Sequence, residues 1–107
     1  MPLTDTLKAV SDPVRREILS MLRKQSMNAG DIAAHFEISD PAISRHLAVL
    51  KKAGLVRSHR DGQKTCYELN ASVLDEIILW ASALKGEEHE RESSLEKRSL
   101  QKMADSQ

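Results

Sequence analysis

The stretch that decides the fold is SDPAISRHLAVLKKAG, residues 39–54. Ser39 suits a helix N-cap because its hydroxyl can accept a hydrogen bond from a free N–H group of the first turn. Pro41 fits that first turn because its missing N–H removes no helical hydrogen bond there. Gly54 can end the helix, since glycine adopts the left-handed C′ conformation without a Cβ penalty. These signals predict a single helix between Ser39 and Gly54.

This predicted helix has an apolar stripe and a cationic face. Ile43, Leu47 and Leu50 recur at helical spacing and form the stripe. At about 100° per residue, the remaining face carries small side chains, a hydroxyl and cations: Pro41, Ser44, Arg45, Ala48 and Lys52. Such a face can approach a polyanion closely, but many solvated helices also have a basic face. The segments on either side of this helix are therefore needed to distinguish a helix that binds a polyanion from an ordinary solvated helix.

Charge is distributed unevenly along a chain whose formal net charge is zero, from 16 basic and 16 acidic residues. Residues 39–64 contain six bases and only two acids, Asp40 and Asp61, whereas residues 86–107 contain six acids and four bases. Local basic patches attract phosphates even when the whole chain is neutral. The basic segment begins at the predicted helix.

Length and composition limit the class of protein. A chain of 107 residues is enough for one domain, and an aromatic content of 3% favours small aliphatic helices. The single Cys66 excludes an internal disulfide and a site with several cysteine ligands, and we expect it to be a half-buried strand residue. No apolar run is long enough to span a membrane, and the N-terminus does not resemble a signal peptide. The expected location is the cytoplasm, without membrane contact.

Three helices are predicted before Ser39. The first spans about residues 3–10, and the second begins at Pro13 with Asp12 as its N-cap. We expect Arg15 and Arg16 to lie on the solvated face of the second helix, with contact to DNA backbone as the less favoured alternative. Asn28 can cap a short third helix. Two short helices joined by about three residues, the second with a basic outer face, are typical of a helix-turn-helix.

A β-hairpin is predicted after Gly54, where the apolar period changes from helical to alternating. Residues 55–60 and 63–69 flank Asp61-Gly62, a dipeptide typical of a type I′ turn with positive φ at both positions. The hairpin tip would carry Arg60, Gly62 and Lys64. A hairpin that follows a helix-turn-helix is a wing.

The last predicted helix spans residues 71–85, with Asn70 as its cap. Its apolar residues form more than one stripe, so it needs cover on two sides. A second subunit is the simplest cover, and the first helix is the other candidate. The predicted dimer interface comprises Leu3, Leu7, Leu74, Ile77, Trp80, Ala81 and Leu84. We therefore expect a binding and dimerisation domain over residues 1–85 and a charged, mobile tail over residues 86–107.

These elements predict a mainly α (α+β) fold, a winged helix-turn-helix of about five helices with a two-stranded hairpin wing. Three blocks then resemble the ArsR family of bacterial repressors. Residues 9–19, AVSDPVRREIL, resemble that family's ALSDPTRRxIL opening; residues 43–56 resemble its recognition-helix signature; and residues 62–70 resemble its "G…YxLN" wing. The resemblance covers roughly residues 7–70, and within the family it is strongest to the SdpR autorepressor branch.

The resemblance implies a homodimer that binds an imperfect inverted repeat in double-stranded DNA and represses transcription. In the family pattern the major groove would be faced by Ser39, Pro41, Ala42, Ser44, Arg45 and His46. Arg45 could contact guanine O6 and N7, Lys51 and Lys52 would contact phosphate, and Arg60, Gly62 and Lys64 would lie over the minor groove or backbone. His46 is close to the apolar stripe, so a hydrogen bond within the fold and a DNA contact both remain open.

The chain departs from the family's metal sensors. Residues 28–36 contain no cysteine, and Ile77 stands two residues after Asp75, where a histidine ligand would be required. We therefore expect no metal and no cofactor, and regulation by abundance, by a protein partner or by another ligand.

The alternative function is a winged-helix protein-interaction module regulated by a partner protein. The neutral charge is compatible with it, but the cation-only helix face argues against it. An enzyme is not expected, because His35, His46, His59 and His89 lie on separate segments and no catalytic arrangement or phosphate-binding loop can be assembled.

Overall fold

The computed structural model describes residues 3–86, which form two units, one up to Leu74 and one from Asp75 onward. The helices are α1 (Leu3–Ala9), α2 (Pro13–Lys24), α3 (Ala29–Ala34), α4 (Asp40–Lys52) and α5 (Leu74–Lys85). The strands are β1 (Met27–Asn28), β2 (Val56–Asp61) and β3 (Lys64–Leu69), and a 3-10 turn spans Ala71–Val73. The predicted tail from residue 87 to 107 lies outside the described residues. The predicted winged helix-turn-helix fold is confirmed.

Side-chain caps start three of the helices, as predicted. The carboxylate of Asp12 accepts hydrogen bonds from the N–H groups of Val14 and Arg15, at 2.8 and 3.2 Å. Asn28 Oδ1 accepts from the Asp31 N–H at 2.8 Å, and Ser39 Oγ accepts from the Ala42 N–H at 3.3 Å. Each cap satisfies N–H groups that have no partner within their own helix.

The apolar stripes of α2, α3 and α4 meet in one core. Ile18, Ile32 and Leu50 are fully buried, and the buried hydrophobic residues of this core are all aliphatic. This core determines which face of α4 is turned outward. Its buried members are Ala9, Ile18, Leu22, Ile32, Ile43, Leu47, Leu50, Ala53, Leu55, Val56 and Val73.

The sheet has three antiparallel strands in the order β1-β3-β2. The wing, which we define as β2, β3 and the loop between them, has Val56 opposite Leu69 and Asp61 opposite Lys64. The third strand, β1, pairs Met27 with Tyr67. We did not predict β1 because a strand of two residues is too short to show an alternating pattern.

The predicted type I′ turn at Asp61-Gly62 is wrong. Asp61 is the last residue of β2 and pairs with Lys64, so the loop consists of Gly62 and Gln63. Gly62 has φ +70°, and within the described range no residue other than glycine has a positive φ. This pattern, with glycine at the first loop position, is that of a type II′ turn. It keeps Asp61 extended and places opposite charges across the strands.

The predicted capping role of Asn70 is also wrong. Its side chain accepts no hydrogen bond from an N–H of the following turn. Instead, Asn70 Nδ2 donates to the Gly54 carbonyl at 2.9 Å, and the Asn70 N–H donates to the Leu55 carbonyl at 2.8 Å. The Gly54 carbonyl lies just beyond the end of α4, where helical partners run out. Asn70 therefore joins the end of the wing to the end of α4.

The last helix, α5, is apolar but has no buried residue. Trp80 is 45% exposed and Leu84 is 73% exposed. On the helix these two side chains lie on one stripe with Ile77 and Ala81, while Leu79 lies on the opposite side. Ile77 and Ala81 are half-buried, so Trp80 and Leu84 form the exposed part of this stripe. Exposed large apolar side chains of this kind are typical of an interaction surface.

Candidate nucleic-acid interface

The outer face of α4 is the candidate site. Ile43, Leu47 and Leu50 turn inward and are 0–1% exposed, which fixes the rotation of the helix about its axis. Gly54 has φ +80° and ends the helix as predicted. The outward residues, all exposed as predicted, are Pro41, Ser44, Arg45, Ala48 and Lys52.

The cations at the site have no protein partners within the described residues. The side chains of Arg45, Lys51 and Lys52 form no hydrogen bond or ion pair with any other residue between 3 and 86. Small neighbours on the same face, Pro41 and Ala48, leave room for close approach. Free guanidinium and ammonium groups on a face without bulky side chains can donate to phosphate oxygens and to base edges.

The wing supplies two further exposed cations, Arg60 and Lys64. Arg60 is opposite Thr65, and Lys64 is opposite Asp61. Because paired residues share a face and successive residues alternate, Arg60 and Lys64 project from opposite faces of the hairpin, with Gly62 between them at the exposed tip. The two cations therefore cannot contact a ligand from the same face of the hairpin.

Arg15 does not lie on a solvated face, so that prediction is wrong. Its Nε donates to the Ala9 carbonyl at 2.6 Å and its Nη2 to the Lys8 carbonyl at 3.1 Å. Its Nη1 lies 3.2 Å from Nδ1 of His46. The side chain is held because the C-terminal carbonyls of α1 have no partners within their own helix. Arg16 is exposed and donates to the Val10 carbonyl at 2.9 Å.

His46 is half-buried at the edge of the α4 face and contacts Arg15 through Nδ1. The hydrogen bond within the fold, one of the two alternatives that the sequence left open, is therefore present. That contact occupies one ring nitrogen only, so a DNA contact by the other nitrogen stays a prediction.

Asp12, the N-cap of α2, interacts electrostatically with Arg15. Burial raises the pKa of Asp12, but the hydrogen bonds from the Arg15 and Val14 N–H groups outweigh it, together with the positive charge of Arg15. The net result is a pKa below the ordinary value of 3.8. Asp12 therefore stays ionised and stabilises the N-terminus of α2.

Val49 is a neighbour of the candidate site that was not predicted from the sequence. It is 39% exposed and lies one turn after Arg45 on the outer face. Its position opposite the buried Leu47 on the helix is the signal from which this exposure could have been predicted. A branched apolar side chain beside Arg45 can contact the methyl group of thymine.

The predicted interface residues are less exposed in α1 than in α5. Leu3 and Leu7 are half-buried, and Leu74 packs against the core. Ile77 and Ala81 are half-buried, whereas Trp80 and Leu84 are exposed.

Within residues 3–86, His, Cys, Asp and Glu side chains nowhere gather in a group of three or more that could hold a metal ion. Cys66 is half-buried on β3, as predicted. His35 Nε2 lies 3.4 Å from Glu17 Oε2, and both side chains are about half exposed. No helix in this range is long and apolar enough to cross a bilayer.

Comparison with known proteins agrees with this geometry. The family described as "Bacterial regulatory protein, arsR family" matches residues 12–58. The transcriptional repressor SdpR of Bacillus subtilis is 50% identical over 78 residues, which cover 73% of this chain and 87% of that protein. The arsenical resistance operon repressor of Staphylococcus aureus is 41% identical over 71% of this chain and 73% of its own length. The structure of an ArsR-like transcriptional regulator from Rhodococcus sp. RHA1 has a TM-score of 0.75 at 26% identity, covering 92% of this chain and 91% of that chain.

Proposed function

This chain belongs to the ArsR family of bacterial regulatory proteins, and we propose that it is a homodimeric, sequence-specific repressor that works without sensing a metal. Its operator would be an imperfect inverted repeat. In this proposal residues 1–85 form the DNA-binding and dimerisation domain, and residues 86–107 are a separate tail.

The observation that carries the DNA-binding role is the outer face of α4. Arg45 and Lys52 are exposed there without a partner among the described residues, beside small side chains that allow close approach. Arg45 reads a guanine, while Lys51 and Lys52 neutralise phosphates. Ser39, Pro41, Ala42 and Ser44 lie at or near the N-terminal end of α4, which is the end that contacts bases in helix-turn-helix proteins.

Repression is supported by the relatives. The similar proteins of B. subtilis and S. aureus are both named as repressors. A dimer bound across a promoter would block transcription by occupying the site, which requires no bound effector. The protein would then act in the cytoplasm, where bacterial DNA is found.

Dimerisation is supported by the apolar stripe of α5. Trp80 and Leu84 expose large apolar side chains, and their burial in a symmetric contact would contribute roughly 1.5–3 kcal/mol per large side chain. A second copy is the proposed cover because a twofold dimer matches the twofold symmetry of an inverted repeat. Ile77 and Ala81 would extend this contact, and Leu3, Leu7 and Leu74 are the other residues of the proposed interface.

Independence from metal is supported by the residues at the positions used by metal-sensing relatives. Residues 28–36 contain no cysteine, and Ile77 occupies a position where a ligand would be needed. We expect neither Zn²⁺ nor arsenite to change the affinity for the operator, measured by fluorescence anisotropy. A change of tenfold or more at micromolar ligand would contradict this part of the proposal.

Footprinting on the DNA upstream of the protein's own gene tests repression and autorepression together. We expect protection of an inverted repeat that overlaps the promoter, loss of protection with Arg45→Ala, and retention with Arg23→Ala, which removes an exposed arginine on the last turn of α2. Protection of a site elsewhere in the genome, without protection upstream of the protein's own gene, would contradict autorepression. No protection of any site by folded protein would favour the protein-interaction module.

A further inference from the structure

Arg15 joins the end of α1 to the DNA-facing helix. Two of its nitrogens donate to the carbonyls of Ala9 and Lys8, at 2.6 and 3.1 Å. The third, Nη1, lies 3.2 Å from Nδ1 of His46. The guanidinium is planar and rigid, so these contacts fix its position and, with it, the direction from which it meets the imidazole.

The chemistry of this contact determines where the proton of His46 lies. A guanidinium carries donors only and stays protonated in proteins. Nδ1 of His46 must therefore be the acceptor in this contact. A neutral imidazole has one proton, and when Nδ1 accepts, that proton is on Nε2. The arrangement thus selects one tautomer of His46.

We propose that Arg15 is a positioning residue that holds His46 as a neutral Nε2–H donor for DNA. The proposal rests on the proposed DNA-binding function. Because the two nitrogens of an imidazole point in widely different directions, Nε2–H is directed away from Arg15. His46 immediately follows Arg45 on α4 and is not fully buried, so a phosphate oxygen or a guanine acceptor can meet this donor. A donor that is already oriented loses less conformational freedom on binding.

The tautomer is testable without DNA. A long-range proton–nitrogen correlation NMR spectrum distinguishes protonated from unprotonated ring nitrogens of His46. At a pH where the ring is neutral, we expect the proton on Nε2, with the Nδ1 signal shifted by its hydrogen bond. Arg15→Met, which keeps side-chain length without the donors, should remove that shift, whereas Arg16→Met should leave it unchanged. A proton on Nδ1, or an Nδ1 signal insensitive to Arg15→Met, would overturn the proposal.

Two substitutions of His46 test its role with DNA. Glutamine brings its amide to about the place of Nε2, whereas asparagine brings its amide to about the place of Nδ1. We expect His46→Gln to retain most of the affinity for the operator and His46→Asn to lose roughly tenfold, the effect of one hydrogen bond to a charged group. Equal loss in the two variants, with both folded, would contradict a donor at Nε2.

A double-mutant cycle separates positioning from a structural role. If Arg15 acts through His46, Arg15→Met should lower the affinity roughly tenfold in the parent chain and much less in the His46→Asn chain. An equal loss in both chains would mean that Arg15 supports the fold or α1 instead, and would overturn the proposal. A comparison of the parent with Arg45→Ala tests the proposed function separately. If neither protein binds operator more tightly than random DNA, DNA reading by α4 is wrong. The NMR measurement still tests the tautomer of His46 in that case.

Discussion

Three arginines illustrate how one residue type takes different roles in this chain. Arg15 bridges α1 and α4, and Arg57 Nε donates to Glu68 Oε2 at 3.3 Å within the wing. Arg45 has no partner within the described residues. A free arginine on an exposed face loses rotamer freedom only when a ligand binds. This difference supports the proposal that Arg45 reads DNA and that Arg15 positions the site.

Replacing Arg45 with alanine should selectively weaken specific binding. Loss of a bidentate contact to guanine costs about 1–3 kcal/mol, so affinity for the operator should fall by roughly one to two orders of magnitude. Anisotropy titrations with operator and with random duplex measure the ratio of the two affinities. Arg23→Ala is the control for the loss of one positive charge. Equal weakening on both duplexes would show that Arg45 contacts only backbone.

Asp12 should make stability depend on pH in acid. Its pKa in the folded state is lowered, chiefly by backbone hydrogen bonds that outweigh the effect of burial. The stabilisation is therefore present above the unfolded-state pKa, about 3.9, and is lost as the pH falls through the lower folded-state value. Asp12→Asn keeps a capping side chain but cannot titrate.

Urea unfolding of the parent and Asp12→Asn chains between pH 7 and 3 measures this effect. We expect the difference in free energy of unfolding between the parent and Asp12→Asn to shrink as the pH falls and the Asp12 carboxylate is protonated. A difference that is the same at every pH would contradict an ionised cap.

At the scale of elements, the sequence predicted most of the fold because local signals agreed with one another. The caps at Asp12, Asn28 and Ser39 and the stripe of α4 were each confirmed. Two of the predictions that failed depended on contacts with other elements. The role of Asn70 depends on the Gly54 carbonyl, and that of Arg15 depends on carbonyls of α1 and a ring on α4.

The prediction of the turn type in the wing failed for a local reason. Asp-Gly was read as the two loop residues, but glycine alone satisfies the positive φ that this loop requires. The resemblance to the ArsR family was confirmed, and with it the expectation that this is a regulatory protein and not an enzyme.

The wing should contribute affinity without sequence preference. Lys64 is exposed at its tip, and a phosphate contact there releases about one counterion on binding. Lys64→Ala should weaken operator and random DNA alike and reduce the slope of log affinity against log salt by about one. Lys24→Ala, on the exposed last turn of α2, should leave the slope unchanged. An unchanged slope for Lys64→Ala would place the wing away from the phosphates.

In the molecule as a whole, α5 carries large apolar side chains that are exposed to water in a monomer. Leu84 and Leu79 are both exposed, 73% and 51%, but they lie on opposite sides of the helix. Only Leu84 shares the stripe with Trp80 and Ile77, so this pair of leucines distinguishes a contact on the stripe from general surface hydrophobicity.

Leu84→Glu should convert the proposed dimer to monomer, because it removes apolar burial and introduces a charge that the interface cannot hydrate. We expect the dissociation constant of the dimer, measured by sedimentation equilibrium, to be at least tenfold higher for Leu84→Glu than for the parent. Leu79→Glu should change this constant little. A parent chain that is monomeric at micromolar concentration would contradict the dimer, and equal effects of the two variants would contradict the stripe.

Selection of bound sequences from a random DNA pool, with purified protein at moderate salt, tests the central claim most directly. A homodimer that reads DNA with α4 should enrich an inverted repeat whose half-sites lie about one helical turn apart. The guanine read by Arg45 should lose its enrichment when the selection is repeated with Arg45→Ala. Enrichment of no sequence by folded protein, or of a motif that Arg45→Ala leaves unchanged, would contradict the account.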